Sequence, residues 1–394
     1  MEGPAPFISR VRLKNYRSIA DCDVRLGRLT VLVGPNGSGK SNFLQALALL
    51  SRAVNTTPYE AITTFGGLAE ILRRAPEPAE SLSIDVEATV PLSPGSDQLG
   101  SARYGFEVGI ASRRGLRSFE VLRESCELAF NGRTWSFGAE RGAVHMESLA
   151  GSAPRIEPDR LYLPIAASQT TFGPLFQALT NMQFYNFALD TLREPSPFSG
   201  AAVMDHRGEH FSEALGAIAG VRPDLKDRID AYLKAVVPGI EGVDRYSVGG
   251  YETVAFRAGS DTSEIEFGPT AISDGTIRAA AVLTALFQLA VADGRIPLIG
   301  IEEPELALHP AAAGVLLDAL TEASERTQVI VTTQSPDLLD RDDLDVSDVR
   351  AVSMEDSVTV IGEVDRASRR IVKDRLYTLG ELMRGNQLTP EPEA

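Results

Sequence analysis

The sequence predicts an α/β fold, with a mixed and largely parallel sheet core joined to an antiparallel β lobe and a helical insertion. Three patterns carry that prediction. The apolar run Leu29-Thr30-Val31-Leu32-Val33 meets a glycine-rich loop and then the helical pattern Asn42-Phe43-Leu44-Gln45-Ala46-Leu47, as an α/β unit requires. Residues 276–340 alternate helical and strand periodicity, with apolar strands at Leu298-Ile299-Gly300-Ile301 and Gln328-Val329-Ile330-Val331. Residues 82–146 alternate apolar and polar side chains, as in Leu82-Ser83-Ile84-Asp85-Val86-Glu87-Ala88-Thr89-Val90. That is the signature of an antiparallel sheet with one wet face.

In chain order, residues 7–13, 22–26 and 29–33 read as strands and about 40–52 as a helix. Helical spacing dominates from about 170 to 237, where Phe176, Leu179, Met182, Phe184 and Phe187 form a stripe expected in a core. Alternation returns over 244–267. These shifts divide the chain into a core made of 1–55 and 240–385, a β lobe over 56–160 and a helical insertion over 161–239. The acidic, proline-containing end, 386–394, is expected to be disordered. No heptad run and no internal repeat is evident.

A chain of 394 residues exceeds one minimal core, and 43% hydrophobic with 23% charged residues describes an ordinary globular protein. The first residues lack a signal-peptide pattern, and the longest apolar stretch, Ala279 to Ala292, is expected to be too short for a bilayer. Only Cys22 and Cys126 occur, away from any metal-ligand pattern, so a reducing cytoplasm without membrane attachment is expected. The net charge of −16 opposes a surface uniformly attractive to nucleic acid. Arg113, Arg114, Arg117 and Arg123 still form a local cluster, which reads either as a solvated strand face or as a DNA contact.

The chemistry begins at Gly34-Pro35-Asn36-Gly37-Ser38-Gly39-Lys40-Ser41, which satisfies G-x-x-x-x-G-K-[ST] between a strand and a helix. Glycines there let backbone N–H groups close around phosphate oxygens, and the helix N-terminus adds partial positive charge. Lys40 reaches the outer phosphates of a nucleoside triphosphate and the Ser41 hydroxyl ligates Mg²⁺. The strand 298–301 ends in Glu302-Glu303-Pro304. Adjacent strand residues face opposite ways, so the two acids share a site only where the backbone turns. Glu302 is expected to hold Mg²⁺ and Glu303 to orient or deprotonate the attacking water. The strand 328–331 ends in Thr332-Thr333-Gln334-Ser335-Pro336, which aims Gln334 at the ligand crevice. Ser273-Asp274-Gly275 precedes a long helix and reads as an N-cap or as a second anion site.

In this order the parts resemble the ABC-type ATPase heads of the RecF, SMC and OLD (overcoming-lysogenization-defect) group, and most the stand-alone bacterial OLD-like ATPases of the antiphage-defence type. The opening Phe7-Ile8-Ser9-Arg10-Val11-Arg12-Leu13-Lys14-Asn15-Tyr16-Arg17-Ser18-Ile19 is similar to that group's first strand and its N-[FY]-R-S element. The likeness covers 7–52 and 270–340, and less closely Leu379-Gly380-Glu381-Leu382. It implies a P-loop NTPase of ABC-head type with ATP and Mg²⁺ as cofactors. Gly34 to Ser41 with Asn42 and Arg17 would lie at the nucleotide, Ser41 and Glu302 at the metal, and Glu303 would act as base. Ser273 and Gly275 would touch the γ-phosphate held by a second subunit, so two heads pair around ATP. His309 would stand in the region that links the two sites, or else is a helix-start residue before Pro310.

Gln334 replaces the histidine common in the group; an amide hydrogen-bonds but shares no charge with the transferring phosphate, so slow hydrolysis is expected. The stretch after Gln334 is too short for the TOPRIM nuclease of many OLD relatives, which implies a separate effector, a nuclease or toxin. A RecF-like DNA-binding repair clamp is the alternative. The nucleotide-binding subunit of a transporter fits less well, because the first strand is RecF-like and the middle insertion is long. His206 and His210 lack a third ligand and read as an exposed helix start rather than zinc ligands. The acidic run Asp340, Asp342, Asp343 and Asp345 reads as a solvated loop rather than a nuclease metal centre.

Overall fold

The computed structural model describes residues 5–75, 79–92, 98–113, 116–146, 155–168, 171–260, 263–341 and 344–391. Its strands, in chain order, are β1 (Ile8–Tyr16), β2 (Ile19–Arg25), β3 (Leu29–Val33), β4 (Ser81–Pro91), β5 (Leu99–Arg113), β6 (Leu116–Phe130), β7 (Arg133–Glu140), β8 (Ala143–Met146) and β9 (Gln183–Tyr185). There follow β10 (Ser196–Pro197), β11 (Ile240–Val248), β12 (Tyr251–Ser260), β13 (Ser263–Phe267), β14 (Leu298–Glu302), β15 (Gln328–Thr333), β16 (Val349–Glu355) and β17 (Val358–Glu363).

Two large sheets face each other across one helix. The first has the order β17-β16-β3-β15-β14-β9. All its pairings are parallel except β16 with β17. Every residue of β3 and of β15 is buried, as a strand covered on both faces must be. The second sheet, β2-β1-β4-β5-β6-β7-β8, is antiparallel throughout. The helix Lys40–Asn55 lies between them, with Phe43, Leu47 and Leu50 buried in one cluster beside Leu32, Leu298 and Ile330 of the first sheet and Val11, Leu13 and Val86 of the second. Gln328, fully buried, stitches the sheets at one edge: its side chain accepts from Ile8 N (2.8 Å) and donates to Ile8 O (2.8 Å) and Gly27 O (2.7 Å). The second core gathers the helices Phe211–Val221, Pro223–Val236, Asp274–Phe287 and Ala313–Ser324 on the other face of the parallel sheet.

Several expectations are corrected. β1 and β2, assigned by sequence to the same core as β3, extend the antiparallel sheet instead. The helical stripe 176–187 breaks at Thr180, and Phe184 enters β9, the parallel sheet's edge strand. Leu179, Met182 and Phe187 are nonetheless buried, as core residues. The end of the chain is held as far as Glu391: Thr389 O accepts from Asp365 N (3.0 Å), Glu391 N donates to Glu363 O (2.7 Å), and Glu391 pairs with Arg369. Residues 392–394 lie outside the described residues. Asp274–Ala292 does satisfy the length and apolarity of a membrane span, yet 89% of that window is buried inside the protein, as befits a core helix. Within the arginine cluster, Arg123 is paired with Asp85 (3.2 Å), while the side chains of Arg113, Arg114 and Arg117 lie outside the described residues. Asp340 is tied to Thr378 and Arg384, and Asp342 and Asp343 are outside the described set.

One buried carboxylate pins the β lobe to the segment that leaves it. Glu124 of β6 accepts from Tyr104 Oη (2.9 Å) and from the backbone N–H groups of Tyr162 (2.5 Å) and Leu163 (3.0 Å). Burial raises its pKa to about 7 despite those three donors. Cys126, two residues on, is buried, as is Cys22.

Candidate nucleotide site

The parallel register sets the site. β15 pairs Thr332 with Glu302 and Thr333 with Val33, so the glycine loop, both acids and Gln334 leave the sheet at the same carboxyl edge. Ligands bind at that edge in open α/β sheets. Gly37 (φ 77°) and Gly39 (φ 104°) occupy the left-handed region, which favours glycine. A Cβ on Gly34 would lie 2.1 Å from Val352 O, and one on Gly39 would lie 2.0 Å from Thr359 Oγ1. β16 and β17 thus press the loop into shape.

The helix that follows starts without a side-chain cap and without an acidic residue in its first turn. Its positive end is therefore uncompensated and open to an anion. The Ser38 hydroxyl is buried without a partner, which a phosphate oxygen would supply. Lys40 is 5% exposed, and its ammonium donates to Gly34 O (2.8 Å) and Pro35 O (2.9 Å). Burial lowers its pKa, while the charges of Glu303 and Glu305 oppose that shift. These residues fit a triphosphate: an uncapped helix end, an unpartnered hydroxyl and a buried cation converge on one loop.

Glu302 closes β14, and its Oε1 accepts from Gln45 Nε2 (3.4 Å). Glu303 then turns the chain with φ 44°, its N–H bound to Thr332 O (3.0 Å) and Thr332 Oγ1 (3.2 Å). This kink is what takes two successive acids off the strand's alternation. Gln334 Nε2 donates to Glu303 Oε2 (3.3 Å). Ser41 and Glu302 remain the candidate Mg²⁺ ligands; magnesium characteristically takes one or two protein oxygens together with substrate phosphates. Among the described residues no group of three or more His, Cys, Asp or Glu is arranged to hold a metal. His206 and His210 instead pair with Asp205 (3.3 Å) and Glu213 (3.1 Å).

Arg17, held at φ 51° in the turn between β1 and β2, lies over the first turns of the loop helix. It donates to Asn42 Oδ1 (3.4 Å) and to Gln45 Oε1. Through Gln45 it is joined to Glu302. Beside it, Ser18 Oγ accepts from Asn42 Nδ2 (2.7 Å) and bonds Thr359 Oγ1 (2.7 Å), which in turn donates to Ser38 O (2.8 Å). The N-terminal turn is thereby clamped to the loop.

Sequence reasoning missed Gln45, Glu305 and Arg278. Gln45 lies one helical turn and a half past Lys40, a spacing that carries no signal by itself. Glu305 accepts from Thr333 Oγ1, keeps a second oxygen buried without a partner, and has its pKa raised by burial. Arg278 is buried in the helix Asp274–Phe287, its Nε unpartnered; burial lowers its pKa and the charges of Asp274 and Glu303 oppose that.

Ser273 caps that helix, accepting from Thr276 N (3.2 Å) and bonding Thr276 Oγ1 (2.7 Å). Asp274 pairs with Arg193 (2.6 Å). Gly275 is buried so closely that a Cβ would lie 2.1 Å from Ala307 O, in the loop that follows the acids. His309 Nδ1 accepts from Ala311 N (3.2 Å) at the end of that loop. Gly275→Ala is therefore expected to push the helix start and the 303–308 loop apart, at about 1–3 kcal/mol by the usual cost of overpacking. Chemical denaturation checks it; an unchanged midpoint would show that the loop yields freely.

A strand–glycine loop–helix, a kinked acid pair and a capped second helix on one mixed sheet define a P-loop nucleotide-binding head of ABC type. The chain belongs to the family described as "AAA domain, putative AbiEii toxin, Type IV TA system", whose profile matches residues 29–340. It stands in the RecF, SMC and OLD group of ATPases. It is 46% identical over 44 residues to an OLD nuclease of Thermus scotoductus, covering 11% of this chain and 8% of that protein. To the DNA replication and repair protein RecF of Magnetococcus marinus it is 37% identical over 62 residues, 15% of this chain and 16% of that one. To RecF of Trichlorobacter lovleyi it is 37% identical over 87 residues, 22% and 23%. The chain thus matches less than a quarter of the length of each of these relatives. The fold is that of an SMC head solved bound to the C-winged helix domain of ScpA, with TM-score 0.54 and 13% identity over 92% of this chain and 99% of that one.

Proposed function

We propose that this protein is an ATP-dependent switch: two copies pair head to head around ATP and Mg²⁺, hydrolyse it slowly, and in doing so gate a separate effector. The observation that carries the reading is the position of Ser273. Among the described residues its hydroxyl bonds Thr276 alone, and the amino end of the helix it caps sits beside the loop that leaves the two acids. A helix start of that kind suits a phosphate brought by another subunit. Glu303 serves as base with Gln334 beside it, and the amide's lack of charge accounts for slow turnover. Both the OLD nuclease match and the toxin in the family description support an effector that is a nuclease or toxin, acting in antiphage defence or in the response to DNA damage, in the cytoplasm. The RecF matches support a second reading, a DNA-binding repair clamp.

Ser273→Arg tests the pairing. The substitution places a long side chain where the second head would close, yet leaves residues 34–42 untouched. Nucleotide binding by titration calorimetry should persist while turnover falls on the order of 10²-fold, the usual loss when one phosphate-stabilising donor is removed. Full turnover in this variant would remove the in-trans role of Ser273 and Gly275.

A further inference from the structure

The nucleotide site leaves unused a basic, partly apolar face near the carboxyl end. In a chain of net charge −16, residues 366–375 carry five cations, Arg366, Arg369, Arg370, Lys373 and Arg375, against the single carboxylate of Asp374. The helix Arg366–Lys373 is anchored from below: Asp365 accepts from Ala367 N and Ser368 N (both 3.0 Å), Ser368 is buried, and Arg369 pairs with Glu363 (2.6 Å) and Glu391 (2.9 Å). Arg366, Arg370 and Lys373 fall at i, i+4 and i+7, so they share the outer face, and all three are exposed. Arg370 meets Asp374 only at 3.7 Å with 85% of its side chain in solvent, a pair worth little. The nearby carboxylates are hydrogen-bonded or paired within the protein, and Asp345 also lies in the field of Lys373. Asp345 caps Ser347 N (2.8 Å), Glu381 accepts from Thr378 N (2.8 Å), and Asp337 and Asp340 pair with Arg384.

A solvated charged face is the ordinary fate of such a helix. Here a second observation adjoins it. Arg375 (φ 54°) turns the chain, and Leu376 and Tyr377 follow, 66% and 55% exposed. They stand at a cleft of about 360 Å³ lined by Val346 and Val372, by the cations Lys373 and Arg375 and by the carboxylates of Asp345 and Glu381, so the unmatched positive charge lies on the outer face of the helix and the cleft itself offers an apolar seat. Tyrosine and arginine around a small cleft, with an exposed leucine, are the usual ingredients of a protein contact.

We propose that this face docks an acidic peptide segment of a partner protein, with one apolar side chain of the segment in the cleft and its carboxylates on Arg366, Arg370, Lys373 and Arg375. The inference rests on the reading of the chain as a head that works through a separate partner. The cleft supplies the anchor site, and the cations set register and speed of encounter. Bare phosphate recognition would need the cations and no cleft.

The test is selection from a random peptide library displayed on phage, with the full-length, nucleotide-free protein as bait. Enriched clones are expected to place Asp or Glu around an aromatic or aliphatic residue. A labelled synthetic copy of the strongest should lose roughly tenfold or more in affinity for the variant R366E/R370E/K373E, and less for Tyr377→Ala, which keeps the charges. Unchanged circular dichroism and ATP binding would show that both variants fold. No enrichment over the triple variant overturns the proposal, as does an oligonucleotide that displaces the peptide and binds equally well to the Tyr377→Ala variant. Because nucleotide is absent, failure here leaves the pairing reading intact, and loss of pairing in Ser273→Arg leaves this one intact.

Discussion

Lys40→Ala is expected to abolish productive nucleotide binding. The ammonium is almost wholly buried and already committed to the loop, bonded to the carbonyls of Gly34 and Pro35. It stands in the field of Glu303 and Glu305, two carboxylates that would repel an incoming triphosphate if the cation were removed. Truncating one partner of a buried charge pair costs about 2–5 kcal/mol, roughly 30-fold to several-thousand-fold in affinity. The loop itself should survive, because its shape comes from Gly34 against Val352 and from Thr359 on Ser38 rather than from the lysine. Equilibrium binding of a fluorescent ATP analogue, read beside a thermal melt without nucleotide, separates the two effects. Wild-type affinity in a folded variant would mean that the triphosphate does not reach this loop.

What was legible in the sequence is what local chemistry dictates. The glycine loop, the apolar strands before and after it, and the acids ending β14 depend on neighbours a few residues away, and each left a pattern. Long-range partnership left none. β1 alternates as readily beside β3 as beside β4, and only the register Val11↔Val86 and Leu13↔Ile84 decides for the antiparallel sheet. β9 reads as helix because Phe176, Leu179 and Met182 continue a helical spacing, and three residues of strand are too few to interrupt it. Glu305 and Arg278 acquire meaning from burial near Glu303, which spacing does not reveal. Ser273-Asp274-Gly275 reads in sequence as cap or as site; the fold shows the cap, with Gly275 closed to any larger residue by Ala307, and the role toward a second head is the proposal that Ser273→Arg tests.

Glu303→Gln is expected to separate binding from chemistry. The substituted amide keeps the side chain's size and preserves the turn at φ 44°, which is held by the backbone N–H on Thr332. It removes the group proposed to take a proton from water, a loss of about 10²–10⁴-fold in turnover for a general base. Gln334 does not replace it: it donates to Glu303 Oε2 and has no basic atom. Affinity for ATP should be retained, since Lys40, Ser38 and the helix end are unchanged. If two heads close on a shared nucleotide, hydrolysis is the step that releases them, so this variant should accumulate as a dimer in gel filtration with ATP and revert when ATP is withdrawn. A strictly monomeric Glu303→Gln protein with ATP bound would remove the paired-head mechanism while leaving a nucleotide-binding head, and hydrolysis at the wild-type rate would place the base elsewhere, with Glu305 the first residue to examine.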